Sequence, residues 1–335
     1  LRRITANIEG EIGEDEVRIT IFNPLPIDVK QPVELALDIP EDWPKFHEFF
    51  GFEKKAAFRL YGEGGQEIPY QRNGQMYESV RKRLFDTKFP DAYHVTETDM
   101  TLPLHIPAMG YTTITAKKQD DQPTRHPQDK GLSNGFNQME NELVTVFIND
   151  NGTVSILDKR TGRMTNEMLV FEDGADIGDG WFHGTTIQDQ VFRSNGCHAD
   201  IALIENGPYS AAYRIRINMR VPECFDDQSK RWGRSDRFVE LPIETTIRLH
   251  AGLDYLECET TVDNTAKDHR LRVMFTPWFD QPQSVDTFFT DTPFDVVERK
   301  VGVRPDNHLY HELEVETQPQ QSFCAVSDGD HRSEE

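Results

Sequence analysis

Long apolar segments are missing from this sequence. No run approaches the ~20 consecutive apolar residues that a membrane-spanning helix requires. Only 36% of the 335 residues are apolar, and the mean hydropathy is -0.64. We therefore expect no association with a membrane. The first residues, Leu1-Arg2-Arg3-Ile4, contain neither an initiator methionine nor the apolar region of a signal peptide. This start predicts a piece of a longer protein, truncated at both ends.

Cysteine is scarce, and the four cysteines show no CxxC spacing. Their scatter argues against a zinc knuckle and against a dense disulfide scaffold. Together with the missing signal segment, it favours a cytoplasmic location. Cys258 is in phase with Leu256 and Val262, which predicts a buried thiol.

Positive charge is also in short supply. The chain has 36 Lys and Arg residues against 58 Asp and Glu residues, which gives a formal net charge of -22 at pH 7. A field of this sign repels phosphate backbones and anionic lipid. We therefore predict that neither nucleic acid nor a membrane surface is a partner.

Helical periodicity of useful length is absent, whereas alternation of apolar and polar residues recurs along the chain. Within residues 1–118 this alternation predicts a small β-sandwich with prolines near its strand ends. Two stretches interrupt the rhythm. The aromatic-rich residues 43–58 predict a short helix or turn over one end of the sandwich, and the charged residues 77–91 predict an irregular loop. The four alternating stretches are 17–21, 33–39, 102–106 and 112–116.

A linker is predicted at 119–136, which is rich in Pro, Gly, Asp and Gln and has almost no apolar residues. A second domain follows at 137–335. Residues 142–158 (ELVTVFINDNGTVSILD) predict a β-hairpin, because an Asn-Asp-Asn-Gly turn joins two alternating segments. Longer alternating segments predict large antiparallel sheets packed face to face, so the fold class is predicted to be all-β. These segments are 213–221, 243–249 and 256–262.

The hairpin also resembles a known family. Asn-Glu before its first strand, Asn-Gly-Thr-Val-Ser-Ile at its turn and Asp-Lys-Arg-Thr-Gly-Arg after it are similar to the start of the C-terminal β-domain of family 38 glycoside hydrolases, the retaining α-mannosidases. The resemblance implies that residues 137–335 form a supersandwich like that of galactose mutarotases. Four more blocks extend it, in the family's order, over nearly the whole chain: 22–26 (FNPLP), 176–179 (DIGD), 262–273 (VDNTAKDHRLRV) and 291–299 (DTPFDVVER).

The resemblance also implies where catalysis occurs. The family places its nucleophilic Asp and the His and Asp ligands of its zinc ion in an N-terminal barrel and helical region, and no part of this chain matches those. We therefore predict no catalytic residue, no metal ligand and no cofactor here, with zinc bound in the missing N-terminal region. The implied partners are the catalytic barrel of the same longer protein and a mannose-containing glycan or glycoside.

The acidic loop at 172–183 (EDGADIGDGWFH) is the stretch most suggestive of binding. Asp176 and Asp179 could accept hydrogen bonds from sugar hydroxyls, and Trp181 could stack on the apolar face of a sugar. The residue types alone favour a bland acidic turn, whereas the resemblance implies a loop that reaches the mannose-binding cleft. The family tends to place an acidic residue and Tyr after Gly-Asp, where this chain has Gly-Trp, so a direct tyrosine contact is in question.

Several other residues are candidates for a site. Asp176 and Asp179 do not suit a catalytic pair, because a retaining glycosidase needs its two carboxylates on opposite faces of the substrate. Asp291, in a family-like block, is predicted to face the cleft, whereas Phe288 and Phe294 near it are predicted to lie in the core. The basic loop 230–237 either binds an anionic sugar or offsets acidic charge, and the second is favoured. The histidines are predicted to be surface residues.

These observations predict a non-catalytic β-fragment of an α-mannosidase-like hydrolase that supports the catalytic barrel and lines part of its sugar-binding cleft. One alternative is a stand-alone carbohydrate-binding or adhesive β-module. Another is a mutarotase-like enzyme, which would require a His and a carboxylate to converge on the concave face of the large sheet.

Overall fold

The computed structural model describes residues 5, 8, 11–47, 54–83, 89–120, 131–181, 183–228, 230, 232–276, 285–309 and 317–326. No helix among them is long and apolar enough to cross a membrane. The described residues include two short 3-10 helices, at Ser194–Gly196 and Asn307–Leu309. The strands are β1 (Glu16–Phe22), β2 (Val29–Pro40), β3 (Lys45–His47), β4 (Lys54–Ala56), β5 (Phe58–Gly62), β6 (Glu67–Ile68), β7 (Gln71–Arg83), β8 (Asp91–Ile106), β9 (Tyr111–Lys118), β10 (Gln138–Glu140), β11 (Val144–Ile148), β12 (Val154–Asp158), β13 (Arg163–Met168), β14 (Val170–Ala175), β15 (Phe192–Arg193), β16 (Ala199–Asn206), β17 (Ser210–Pro222), β18 (Phe225–Asp226), β19 (Gly233–Arg234), β20 (Phe238–His250), β21 (Leu256–Val262), β22 (His269–Met274), β23 (Thr287–Asp291), β24 (Val296–Lys300) and β25 (Cys324–Val326).

The first sheets form a small antiparallel β-sandwich. One sheet has the strand order β1-β9-β5-β6 and the other β2-β8-β7. Side chains alternate between the two faces of a strand, so each sheet turns an apolar face inward. Ile39 on β2, Leu102 on β8 and Phe58 on β5 meet in one buried cluster. The four strands predicted in this region are confirmed.

Two predictions for this sandwich are wrong. Residues 43–58, predicted as a short helix or turn, contain the paired strands β3 and β4, although 48–53 lie outside the described residues. Residues 77–91, predicted as an irregular loop, belong mostly to the β7–β8 hairpin, in which Arg83 pairs with Asp91. Most side chains of this ribbon are exposed, so its strands need no apolar face and the alternation is lost. Residues 84–88 lie outside the described residues.

The larger supersandwich is built around the predicted hairpin, which is β11–β12. Its sheet, β10-β11-β12-β13, packs through one buried cluster against the four-stranded sheet β16-β17-β20-β21. Val146 on β11, Ile215 on β17 and Ile247 on β20 all belong to that cluster. The alternating segments 213–221 and 243–249 are confirmed as parts of β17 and β20. The fold is all-β, as predicted.

Strand β21 shows that the alternation of apolar and polar residues predicts the face of a side chain but not its burial. Its register pairs Cys258 with Ile247 of β20, so the predicted phase is correct. Cys258 is nevertheless exposed, and its predicted burial is wrong. An outer strand has a hydrogen-bonded neighbour on one side only, so side chains in the apolar phase can remain accessible there.

A buried polar contact joins the small sandwich to the large one. Gln71 at the start of β7 is 3% exposed. Its Nε2 donates to the carbonyl of Ser210 and to Glu205 Oε1, both at 3.0 Å. Its Oε1 accepts from the backbone N–H groups of Tyr209 and Ser210, also at 3.0 Å. One amide therefore ties β7 to the turn before β17.

Part of the predicted linker at 119–136 lies outside the described residues, namely 121–130. The following residues are attached to the large sandwich. The Leu132 N–H donates to the carbonyl of Gly207 at 3.0 Å, and Ser133 Oγ lies 2.7 Å from the Tyr213 hydroxyl. The domain boundaries at 118 and 137 stay a prediction.

Candidate functional site

The acidic stretch 172–183 begins within β14, so its first residues are strand and not loop. The loop that follows connects β14 to β15 and occupies residues 176–191. These strands belong to a sheet of order β15-β14-β22. Nearly every residue of β14 is buried, so the loop leaves from a well-packed base. The register pairs Ala175 with His269 at the start of β22, which places the beginning of the loop beside the family-like residues 262–273.

Asp176 holds the base of the loop closed. Its Oδ1 accepts from the backbone N–H groups of Gly178 at 3.1 Å and Gly184 at 3.2 Å. Its own N–H donates to the carbonyl of Asp268 at 3.0 Å. The Ile177 N–H donates to the carbonyl of Gly184 at 2.8 Å. In this structure Asp176 therefore organises the loop, and a sugar contact by its carboxylate stays a prediction.

Asp179 and Trp181 lie at the tip of the same loop. Asp179 Oδ1 accepts from the Trp181 N–H at 2.8 Å, a local turn made by an aspartate side chain. Both residues are exposed, and Trp181 is 87% exposed. The two residues predicted to meet a sugar are thus presented together towards solvent.

Three side chains form a buried network beneath the loop. Asp173 Oδ2 lies 2.6 Å from Arg234 Nη1, and both side chains are 0% exposed. Asp173 Oδ1 lies 2.5 Å from His269 Nδ1. Arg234 Nη1 also donates to the carbonyl of Gln190 at 3.2 Å. Because Asp173 precedes the loop and Gln190 lies near its end, the network holds both ends of the loop in place.

This network was not predicted from the sequence. One signal in the sequence indicates it: Glu172 and Asp173, in strand β14, directly follow the apolar residues 169–171. A carboxylate in such a strand becomes buried and then requires a partner. The partner's identity depends on the β18–β19 hairpin, which brings in Arg234 from a distant part of the chain.

Glu172 carries a second set of ion pairs on β14. Arg193 Nε donates to Glu172 Oε2 at 2.8 Å, and Arg272 contacts Glu172 Oε1. Burial by itself raises the pKa of Glu172, but the hydrogen bonds from Arg193 and Arg272 outweigh it and bring the pKa below its ordinary value. The carboxylate therefore stays charged and links β14 to both of its neighbouring strands.

Asp291, the fourth predicted binding residue, lies on β23 in the separate sheet β24-β23-β25. Its Oδ1 accepts from the backbone N–H groups of Gln321 and Ser322 at 2.9 Å and of Phe323 at 3.1 Å. The Ser322 hydroxyl contacts Oδ2. Asp291 therefore anchors 321–323, and its role towards a sugar stays a prediction. Phe294 is 98% exposed, so its predicted core position is wrong.

The basic loop 230–237 offsets acidic charge, as favoured from the sequence. Arg234 forms an ion pair with Asp173, and Arg237 Nε lies 3.3 Å from Glu223 Oε2. Arg231 and His311 lie outside the described residues. His308 is exposed.

A family model supplies the deciding observation. The model described as "Glycosyl hydrolases family 38 C-terminal domain" matches residues 139–333, more than half of the chain. This chain belongs to glycoside hydrolase family 38. The family resemblance seen in the sequence is confirmed, and the match begins in β10, just before the hairpin.

Individual relatives agree with the family. A Halalkalibacterium halodurans protein named "Putative mannosylglycerate hydrolase" is 31% identical over 176 residues, which are 49% of this chain and 19% of that protein. The crystal structure of an α-mannosidase from Enterococcus faecalis V583 has a TM-score of 0.77 at 22% identity, over 96% of this chain and 37% of the other. A second family 38 structure from Enterococcus faecalis has a TM-score of 0.68 at 22% identity, over 86% and 35%.

The chain thus spans about a fifth of the length of the named relative and about a third of the solved structures. At 22% identity the structural likeness establishes the all-β fold.

Membership of family 38 implies a zinc ion in the intact enzyme. Within the described part of the chain, no group of three or more His, Cys, Asp or Glu side chains could hold a metal ion. The residues present do not fit a zinc site, so no chemical step here is assigned to a metal. Zinc in an N-terminal catalytic region stays a prediction.

Proposed function

We propose that this chain is the non-catalytic β-portion of a retaining α-mannosidase-like hydrolase. In this proposal the chain supports the catalytic barrel of the same longer protein, and the loop 176–191 forms one wall of the sugar-binding cleft. The exposed apolar surface of this loop carries the proposal. Several large apolar side chains on one short loop are typical of an interaction surface. Four of them are between 41% and 87% exposed: Ile177, Trp181, Ile187 and Val191.

The contacts at the base of the loop support the same role. The Asp173–Arg234 pair lies beneath it, and Asp176 closes its base. A side chain held in place before binding loses less conformational entropy when a ligand arrives. The anchored base and the turn at Asp179 therefore favour a defined backbone path at the tip, from which Asp179 and Trp181 can meet a ligand.

The chemistry of the tip suits a sugar. A carboxylate has about four acceptor positions, so Asp179 can accept from a sugar hydroxyl in addition to the Trp181 N–H. The indole of Trp181 offers a large apolar face to the C–H groups of a sugar ring. The name of the bacterial relative and that of one solved structure share a mannosyl unit. We therefore assign a mannoside as the substrate class of the intact enzyme.

The test uses the intact enzyme and an aryl α-mannoside. Asp179→Asn should lower kcat/KM roughly ten- to hundredfold, because a hydrogen bond to a charged group contributes about 1.5–3 kcal/mol and each 1.4 kcal/mol is a factor of ten. Trp181→Ala should raise KM. Asp150→Asn and Phe136→Ala are matched controls, since both residues are exposed and lie outside the loop 176–191, and they should leave the kinetics unchanged. Parent-like kinetics of both loop variants would remove the loop from the cleft.

The chain alone should hydrolyse no aryl α-mannoside, with or without added zinc, because the catalytic groups are proposed to lie in the barrel. Hydrolysis by the purified chain would overturn this division of roles. A stand-alone carbohydrate-binding module makes a different prediction, namely that the loop binds a mannoside without a barrel. In that case Trp181→Ala would weaken mannoside binding by the chain alone. If the chain forms only one wall of the cleft, the same substitution should leave the mannoside affinity of the chain alone unchanged.

A further inference from the structure

The outer face of the sheet β16-β17-β20-β21 carries a cavity that is separate from the loop 176–191. Its volume is about 520 Å³, within the range of ~300–1,000 Å³ that is typical of small-molecule sites. Ile215 and Ile247 point into the core on the other face. Because side chains alternate, the polar residues between the core positions collect on this outer face.

The strand register assembles one polar row across all four strands. Asp200 pairs with Arg216, Arg216 with Glu244, and Glu244 with Thr261. All four residues line the cavity. Arg216 Nε lies 2.5 Å from Glu244 Oε2, so this row presents an ion pair flanked by a carboxylate and a hydroxyl.

A second row lies beside the first. Asn218 pairs with Pro242, and the Asp263 N–H donates to the carbonyl of Pro242 at 3.0 Å. His198, which precedes β16, also lines the cavity, and Ile217 and Ile243 add apolar contacts. Among the described residues, none donates a hydrogen bond to the side chain of Asp200 or Asp263. The cavity therefore contains two carboxylates and an imidazole that are available to a ligand.

Pro242 explains why the cavity lies at this point of the sheet. Proline has no N–H group, so inside a sheet it cannot donate a hydrogen bond to the neighbouring strand. The N and C=O of an extended residue point to the same side, and the Pro242 carbonyl faces Asp263. The missing N–H therefore faces the end of β21, where the last paired residue is Val262. The short ring of Pro242 leaves an apolar floor between longer polar side chains.

We propose that this cavity binds a neutral sugar ring, as a second carbohydrate site outside the cleft. Carboxylates accept from hydroxyl groups, whereas Arg216 and His198 can donate to ring and hydroxyl oxygens. Asn218 Nδ2 already donates to Glu240 Oε2 at 2.6 Å, which leaves the second N–H of this amide for a ligand. Neighbouring strands lie about 4.8 Å apart, so groups from two rows can surround a ring-shaped polyol. Pro242 supplies an apolar contact for the C–H groups of the ring.

Charge and geometry favour a neutral ligand over the other small ligands. Three carboxylates, Asp200, Glu244 and Asp263, outnumber the single guanidinium of Arg216, so an anion would be repelled. A divalent metal is not favoured, because no group of three metal-ligating side chains occurs in the part of the chain that the structure describes. A sugar satisfies donors and acceptors at once without bringing a net charge.

The experiment titrates the chain with methyl α-D-mannoside and follows the ring protons of His198 by NMR. The sugar should shift these resonances. Asp263→Ala should weaken the affinity roughly ten- to hundredfold, because one charged hydrogen-bond partner is lost. Glu259→Ala is the matched control, since Glu259 is exposed on β21 but does not line the cavity. Trp181→Ala is the control for the loop. Both controls should bind as the parent does.

Several outcomes would overturn the proposal. One is the absence of any His198 shift with the mannoside and with D-glucose, D-galactose and N-acetylglucosamine. Another is a response to spermine or inorganic phosphate without a response to these sugars. A third is an equal loss of affinity in Glu259→Ala. None of these results bears on the kinetic test of Asp179, so the cavity and the cleft can fail independently.

Discussion

The guanidinium of Arg234 and the carboxylate of Asp173 form an ion pair of 2.6 Å with neither side chain exposed. Neither ion has access to water, so each depends on the other for its charge compensation. Asp173 is on β14 and Arg234 is on β19. The pair therefore connects the sheet that carries the acidic loop to a hairpin far away in the chain.

Removing one partner of this pair should be costly. Arg234→Met leaves the Asp173 carboxylate buried with only His269 beside it, and we expect unfolding to become easier by about 3–5 kcal/mol. The double variant Asp173→Asn/Arg234→Met should lose less, because no buried charge is left uncompensated. Urea unfolding measures all three proteins.

The control is the surface pair of Arg237 with Glu223, whose side chains are 76% and 33% exposed. Arg237→Met should cost at most about 1 kcal/mol, since exposed pairs are screened by water. If Arg234→Met were no worse than Arg237→Met, the buried pair would have no structural role.

Gly152 in the hairpin turn should tolerate no side chain. Its φ is +82°, and a Cβ there would lie 2.8 Å from Ile217 Cδ1 and 3.0 Å from Ala199 Cβ. Gly152→Ala should cost about 1–2 kcal/mol for the left-handed backbone and about 1–3 kcal/mol more for overpacking. Gly135→Ala isolates the first contribution, because Gly135 has φ +85° with nothing within 4 Å of its Cβ position. Equal destabilisation of the two variants, measured by thermal unfolding, would contradict the packing argument.

Asp291 should titrate in acid. The hydrogen bond from the Ser322 hydroxyl, followed by backbone N–H groups of 321–323, holds the pKa of Asp291 below its ordinary value of 3.8. A group whose folded-state pKa is depressed stabilises the folded state above its ordinary pKa, and this contribution is lost as the pH falls through the folded-state pKa. A ¹³C NMR titration should therefore give a midpoint below 3.8 for this carboxyl. Ser322→Ala should raise the midpoint, and a parent midpoint at or above 3.8 would refute the tether.

Limited proteolysis should locate the boundary between the two sandwiches. The sequence predicts a linker at 119–136, but Leu132 and Ser133 are bonded to the large sandwich. We therefore expect the first cut in the part of this linker that precedes Leu132, before any cut in the hairpin 142–158. Mass spectrometry of the early fragments gives the site. First cleavage inside the hairpin would place the boundary elsewhere.

The local features of this protein could be predicted from its sequence. The β11–β12 hairpin follows from alternation on both sides of an Asn-Asp-Asn-Gly turn, and β17 and β20 follow from longer alternation. The loop containing Asp176, Asp179 and Trp181 was also visible, because glycines, carboxylates and an aromatic residue are adjacent in the chain. Each of these signals depends on neighbours within a few residues, where backbone preference and side-chain alternation act.

Other features depended on which distant segments meet. The partner of Asp173, the exposure of Cys258 and Phe294, and the two polar rows around Pro242 all follow from strand order and register. Alternation says which residues share a face of a strand, but it does not say which strand lies beside it or whether that face is covered. The sequence alone therefore determined the all-β class and the position of the acidic loop. The tertiary structure decided which charges are paired in the interior and which polar residues share a cavity, because those contacts join residues that only folding brings within a few ångströms.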